Sequence, residues 1–266
     1  MVRRIFSRDH LVVVAVFIFF VGLWQLVVTV TGVRSVFLPP PAEVWDSLVD
    51  GLSEPLNSRN GYWLHSGYTL AEAMGGFVIG SVTGIVFGIA LAESRFLDVA
   101  LRPYIVAFQS LPKVAVAPLV VVWLGFGMSS KIVITALLTF FPLVINTYTG
   151  LKIADASRLD LMRSMAATRW QTFRKVSFPG ALPYVFAGLG MAVVFALVGA
   201  IVGEFVGAQR GLGVLILQRN FSLDVAGVFA VFIVMSVIGV ALSLAVNAVR
   251  SRVIFWESTH RRTIGL

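Results

Sequence analysis

The residues able to do chemistry are few, and they fall in three places. Gln109-Ser110-Leu111-Pro112-Lys113 interrupts an apolar stretch that also holds Pro118. Glu204 follows a second apolar stretch and precedes the glycine-rich turn Gln209-Arg210-Gly211-Leu212-Gly213. Asp160–Trp170 lies between two further apolar stretches and carries Arg163 and Arg169. A lysine within an apolar span must pair, reach a helix end or face water. Interior prolines free carbonyls that need other partners. Gln109, Ser110 and Lys113 are therefore candidates for lining a polar path. The structural alternative is that Lys113 extends to the membrane interface along its own stem. Glu204 could shape the mouth of such a path or pair with Arg210, and pairing is the reading expected of one acid at a helix end.

Other chemistries lack their parts. There is no cysteine, so thiolate metal sites and disulfides are excluded. His10, His65 and His260 stand far apart without ligand spacing. A phosphate-cradling loop needs Gly-Lys followed by Ser or Thr, and no Gly-Lys pair occurs. An intramembrane enzyme would need clustered acids, bases or nucleophiles inside the apolar stretches. The net charge of +8 in such a chain points to basic loops at a membrane rather than to nucleic-acid binding.

The elements that must carry these groups follow from composition. Of 266 residues, 58% are hydrophobic and 13% charged, and the mean hydropathy is +0.91. A water-soluble domain could not cover that much apolar surface with so few charges. The chain reads as one all-α membrane domain over residues 1–266. Spans of about 20 apolar residues are expected at 11–32, 70–92, 103–124, 132–151, 182–203 and 225–249. The first exceeds the apolar core of a signal peptide and reads as an anchor. Six spans place both termini on one side. Fifteen Lys and Arg fall on that side against five on the other, which puts both termini in the cytoplasm. The first outer loop opens Leu38-Pro39-Pro40-Pro41, then spaces Val44, Leu48, Val49 and Leu52 as a short surface helix. In the second span Gly76, Gly80, Gly84 and Gly88 recur every four residues, a face suited to close helix packing.

The inner loop 152–180 is the largest cytoplasmic feature. Leu159, Met162, Met165 and Ala166 fall on one helical face, with Leu161 beside them, and Asp160 suits a helix start. Asp160–Trp170 reads as a short amphipathic helix ended later by Pro179. It could lie on anionic lipid or dock into a groove of a soluble partner. The stretch resembles the loop of bacterial ABC importer permeases, whose pattern is Glu-Ala-Ala, three residues, Gly, nine residues, Ile, one residue, Leu-Pro. Asp160 falls on the Glu, Leu161 and Met162 on the alanines, Ala166 on the Gly, Val176 on the Ile, and Phe178-Pro179 on the Leu-Pro. The spacing matches throughout, while most identities differ. Leu111-Pro112-Lys113-Val114-Ala115-Val116-Ala117-Pro118 and Gly203-Glu204 with Gly211-Leu212-Gly213 are similar to the sulfonate, taurine and nitrate branch of that family.

The resemblance implies a type I ABC importer permease fold in the bacterial inner membrane. It implies two cytoplasmic ATPase subunits holding ATP and Mg, a second permease copy, surrounding lipid and an external substrate-binding protein. It assigns ATPase coupling to Asp160, Leu161, Met162, Ser164, Met165, Ala166, Arg169, Trp170 and Pro179. The implied solute is a sulfonate, taurine, nitrate or similar, or else a pyrimidine-type vitamin precursor. A stand-alone secondary transporter would instead show internal repeats and midplane ionisable residues, for which only Lys113 is a candidate.

Overall fold

The computed structural model describes residues 8–153 and 156–256. The side chain of His10, together with Arg3, Arg4, Arg261, Arg262 and His260, lies outside them. Among the described residues the chain is helical, with no strand. The helices are α1 (Arg8–Thr31), α2 (Pro41–Ser53), α3 (Tyr62–Glu93), α4 (Arg95–Ser110), α5 (Ala117–Leu124), α6 (Met128–Lys152), α7 (Ala156–Ser164), α8 (Arg169–Thr172), α9 (Phe178–Gly207), α10 (Leu212–Phe221) and α11 (Val225–Val253). Five segments are long and apolar enough to cross a membrane, or six if α4 and α5 count as one bent span.

Three long helices form the centre, with α6 packed between α3 and α9. The four glycines of α3 lie on this seam. Gly76 faces Thr135, Gly80 faces Ala136 and Thr139, Gly84 faces Phe140 and Leu143, and Gly88 faces Val144 and Thr147. Lipid gives apolar helices no hydrophobic reason to associate, so the attraction must come from close van der Waals contact. Backbones approach closely enough that Thr139 Oγ1 donates to the Gly76 carbonyl across the interface at 3.3 Å. A Cβ on Gly84 would come within 2.7 Å of the Phe140 carbonyl oxygen and 2.9 Å of Leu143 Cβ. Backbone cannot yield as a flexible side chain can. Gly84→Ala is therefore expected to lower stability by about 1–3 kcal/mol. Thermal unfolding of the purified protein checks this, and an unchanged midpoint would contradict it.

The third span is not one straight helix. Helix α4 ends at Ser110, a 3₁₀ turn occupies Lys113–Val116, and α5 leaves at 88° to α4. The cause is Pro112 and Pro118, which cannot donate to a preceding carbonyl. The 3₁₀ turn supplies one replacement, Ala115 N–H to the Pro112 carbonyl at 2.8 Å. Helix α5 then buries Ala117, Val120 and Val121 against Ile134 and Leu138 of α6.

Helix α2 begins with Pro41 in its first turn, where a missing N–H costs nothing. It buries Val44, Leu48 and Gly51, while Val49 and Leu52 stay exposed. The buried side meets Tyr62, Leu215 and Val231. So α2 is fastened to α3, α10 and α11 by one narrow stripe. Helix α1 reaches the same cluster through Trp24, whose ring lies 5.5 Å from that of Phe229.

Candidate functional site

The first group of chemistry-bearing residues lies at the α10 end of the bundle. The break between α9 and α10 is a tight corner, and Gly211 there has φ +128°. That conformation is open to glycine and strained for any side chain. A Cβ at Gly211 would also overlap the Glu204 carboxylate. Helix α10 starts immediately afterwards and leaves orphan N–H groups. Glu204 and Thr69 satisfy two of them. Gly213 N–H donates to Glu204 Oε2 at 2.5 Å, and Leu212 N–H donates to Thr69 Oγ1 at 2.8 Å. The Thr69 hydroxyl in turn donates to Glu204 Oε1 at 2.6 Å. Both side chains are essentially fully buried. The carboxylate sits at the C-terminal end of α9, where the helix dipole disfavours it, but also at the N-terminus of α10, where the dipole favours it.

Lys131 is a second buried charged residue, on α6. A buried ammonium is costly unless its protons are all received. Nζ donates to the carbonyls of Phe126 at 2.5 Å, Gly127 at 3.0 Å and Gly207 at 2.9 Å. Gly207 closes α9, so Lys131 sits at the negative end of that helix dipole. Gly203 leaves room for the lysine stem, since a Cβ there would come within 2.8 Å of Lys131 Cγ. Glu72 of α3 is also buried, and its Oε2 has no hydrogen-bond partner among the described residues. It lines a cavity of about 450 Å³ together with Tyr68, Phe126, Met128, Lys131 and Arg210.

This centre corrects two expectations. Glu204 pairs with Thr69 and the α10 backbone, not with Arg210, which donates instead to the Tyr68 hydroxyl. Lys131 was expected in a loop, because the span boundary fell at 132. In the fold α6 begins at Met128, which carries Lys131 into the buried centre. Thr69 and Glu72, both on α3, and Lys131 on α6 were missed because no spacing in the sequence links them to Glu204 on α9. Only the glycines after Glu204 marked the place.

The second group lies on the broken span. Lys113 Nζ donates to the Gln109 carbonyl at 3.1 Å and stands 5.0 Å from the centre of the Phe141 ring. The ammonium thus caps the last turn of α4 and also lies against the middle of α6. Ser110 is exposed, and its hydroxyl returns to the Val106 carbonyl at 3.3 Å. Gln109 lines a cavity of about 200 Å³ with Asp98, Arg102 and Tyr148. The Tyr148 hydroxyl donates to Asp98 at 3.0 Å, and Lys152 lies 3.9 Å from the same carboxylate.

The third group is the loop between α6 and α9. Asp160–Trp170 is not a single helix. Helix α7 ends at Ser164, and Ala166 adopts φ +51°. Ala167 N–H reaches the Met162 carbonyl at 3.0 Å, and Ala166 N–H reaches the Arg163 carbonyl at 2.9 Å. This paired pattern ends a helix through one left-handed residue. Thr168 then starts α8 with a capping box. Its hydroxyl accepts from Gln171 N–H at 3.3 Å, and Thr168 N–H donates to Gln171 Oε1 at 2.8 Å.

Pro179 does not end the loop as expected. Helix α8 runs into α9 through a π-helical turn over Phe173–Ser177. The wider turn makes room for a proline ring that would crowd the preceding carbonyls in a regular helix. The result is one continuous arm, Arg169–Gly207. Leu159 and Met162 are half-buried, but Leu161, Met165 and Trp170 are 59%, 69% and 66% exposed, so among the described residues this part of the loop's apolar surface is uncovered. Asp160 is held by Arg163 at 3.0 Å, and Ser164 donates to the Leu161 carbonyl at 2.8 Å.

Comparison with known proteins adds to this geometry. Residues 69–255 match the family described as binding-protein-dependent transport system inner membrane component. The riboflavin transport system permease protein RibX of Chloroflexus aurantiacus is 35% identical, over 89% of this chain and 86% of its own. The formylaminopyrimidine transport permease protein ThiX of Halalkalibacterium halodurans is 33% identical, over 91% and 94%. The taurine transport system permease protein TauC of Escherichia coli is 29% identical, over 88% and 86%. Among solved structures, an inward-facing form of the MetNI methionine ABC transporter superposes with a TM-score of 0.62 at 21% identity, covering 80% of this chain and 98% of that one.

Proposed function

The chain belongs to the family of binding-protein-dependent transport system inner membrane components, and we propose that it is the permease subunit of an ATP-driven importer for a small solute. In this reading an external binding protein delivers the solute at the α10 end. Two ATPase subunits, which hold ATP and Mg, dock at the α7 end in the cytoplasm. A second copy of the chain completes the pathway. The positive charge of the α7 side supports that orientation.

One observation carries the reading. The α7 turn and α8 project from the bundle with an uncovered apolar face, and α8 is continuous with the central helix α9. A partner gripping that arm moves a transmembrane helix directly, as a rigid-body switch between inward-open and outward-open states requires. The solute is of sulfonate, taurine or nitrate type, or a heterocyclic vitamin precursor. The higher identities to the riboflavin and formylaminopyrimidine permeases favour the second.

The pathway follows the broken span. Non-helical backbone at membrane depth is tolerated only beside protein or water, and Ser110, Leu111 and Pro112 are uncovered in the single chain. The chain has no cysteine, so single cysteines at Gln109, Ser110 and Lys113 can be tested without background. In the assembled complex they are expected to react with small polar thiol reagents. Inertness at all three, with labelling in α1 instead, would sink this path.

A further inference from the structure

A second cavity, about 160 Å³, opens at the α10 end and is lined by Arg59, His65, Gln209, Arg210 and Gln218. We propose that this pocket binds an oxyanion group: a carboxylate or a sulfonate. The argument starts from His65, which is buried at the base. Gly211 N–H donates to its Nδ1 at 3.0 Å. The same Nδ1 lies 2.9 Å from the Gly211 carbonyl oxygen, and Nε2 lies 2.9 Å from the Arg59 carbonyl oxygen. The ring thus ties the loop bearing Arg59 to the corner bearing Arg210, and both arginines line one cavity.

Two exposed arginines lining one cavity make its potential positive and attract an anion. No acid lines the cavity, and neither arginine has a carboxylate partner among the described residues. The neighbouring Arg219 differs, being neutralised by Asp224 at 2.7 Å. Arg210 uses one nitrogen on the Tyr68 hydroxyl and lies 5.1 Å from the centre of that ring, which fixes the plane of its fork. The other N–H groups remain, and a planar fork suits two oxygens of one oxyanion. Gln209 and Gln218 add amide donors. The size of the cavity fits a head group rather than a fused-ring solute.

The oxyanion could be the head of a transported solute or an acidic side chain of a docking protein. The test uses the purified chain in lipid nanodiscs with a single cysteine, Gln209→Cys, on the rim. Its labelling rate by a neutral maleimide is measured in methanesulfonate, acetate and chloride at equal ionic strength, so that general screening is constant. Either oxyanion is expected to slow labelling severalfold against chloride, and Arg59→Gln with Arg210→Gln should abolish the effect. Slowing by methanesulfonate alone assigns the pocket to a sulfonate head. Equal slowing by acetate assigns it to a carboxylate. Equal rates in all three salts, or slowing that survives the double substitution, overturns the proposal. No ATPase or uptake is involved, so the result is independent of the transport reading, on which only the choice of occupant rests.

Discussion

Glu204→Ala is expected to cost the protein about 3 kcal/mol or more, because it strands two buried donors at once. Gly213 N–H and the Thr69 hydroxyl both end on this carboxylate, and both residues are buried. Loss of the anion also removes the favourable charge at the start of α10, worth a few tenths to about 1 kcal/mol. The damage should be local first. Amide exchange at Leu212, Gly213 and Val214 is expected to rise before the global midpoint falls. Thr69→Val isolates one link: Leu212 N–H loses its acceptor, at about 1–3 kcal/mol. Gly211→Ala should do comparable harm from the other side, by strain at φ +128° and by overlap with the carboxylate. If Glu204→Ala melts where the parent melts, the carboxylate is not the peg that holds α10.

How much of this was legible beforehand depends on whether the signal was local. The glycines at 76, 80, 84 and 88 announce a packing face by spacing alone, and the fold sets that face on α6. The disturbance at Leu111-Pro112 was readable from proline chemistry, though not the 88° angle, which depends on α5 finding α6. The Glu204 centre was half legible. An acid beside Gly211-Leu212-Gly213 announces a corner, but its partner Thr69 and the buried Lys131 lie on other helices, 135 and 73 positions away in sequence. Nothing in the spacing of single polar residues joins them. Apolar periodicity suggested one helix through Asp160–Trp170 because period is blind to a single left-handed residue. Proline chemistry set the end of the loop at Pro179, because it does not foresee a π turn that accommodates the ring. Both are backbone events, and both were overridden by hydrogen bonds that only the folded turn displays.

That left-handed residue frames the last expectation. The loop pattern of the family keeps Gly at the position held here by Ala166, and φ +51° supplies the physical reason. A Cβ in the left-handed region costs roughly 1–2 kcal/mol per residue. Ala166→Gly is therefore expected to relieve about 1 kcal/mol of local strain and to leave ATPase association and uptake at least at the parental level. Ala166→Val should do the reverse, since a branched side chain tolerates positive φ worst. Ala166→Glu separates the turn from the surface. Ala166 is exposed in the single chain, so a glutamate meets no wall there and insertion in the membrane should be unaltered. Buried under a partner, the same side chain brings an unpaired charge between Met165 and Trp170, the bulky anchors of the uncovered face. The expected result is a protein that inserts normally yet loses its ATPase on purification, or keeps it without transport. The decisive comparison is with Arg163 and Arg169. If Ala166→Glu leaves association and uptake intact while removal of those arginines weakens binding to anionic vesicles, the α7 turn lies on lipid, and the arm from Arg169 to Gly207 is not the lever that drives the switch.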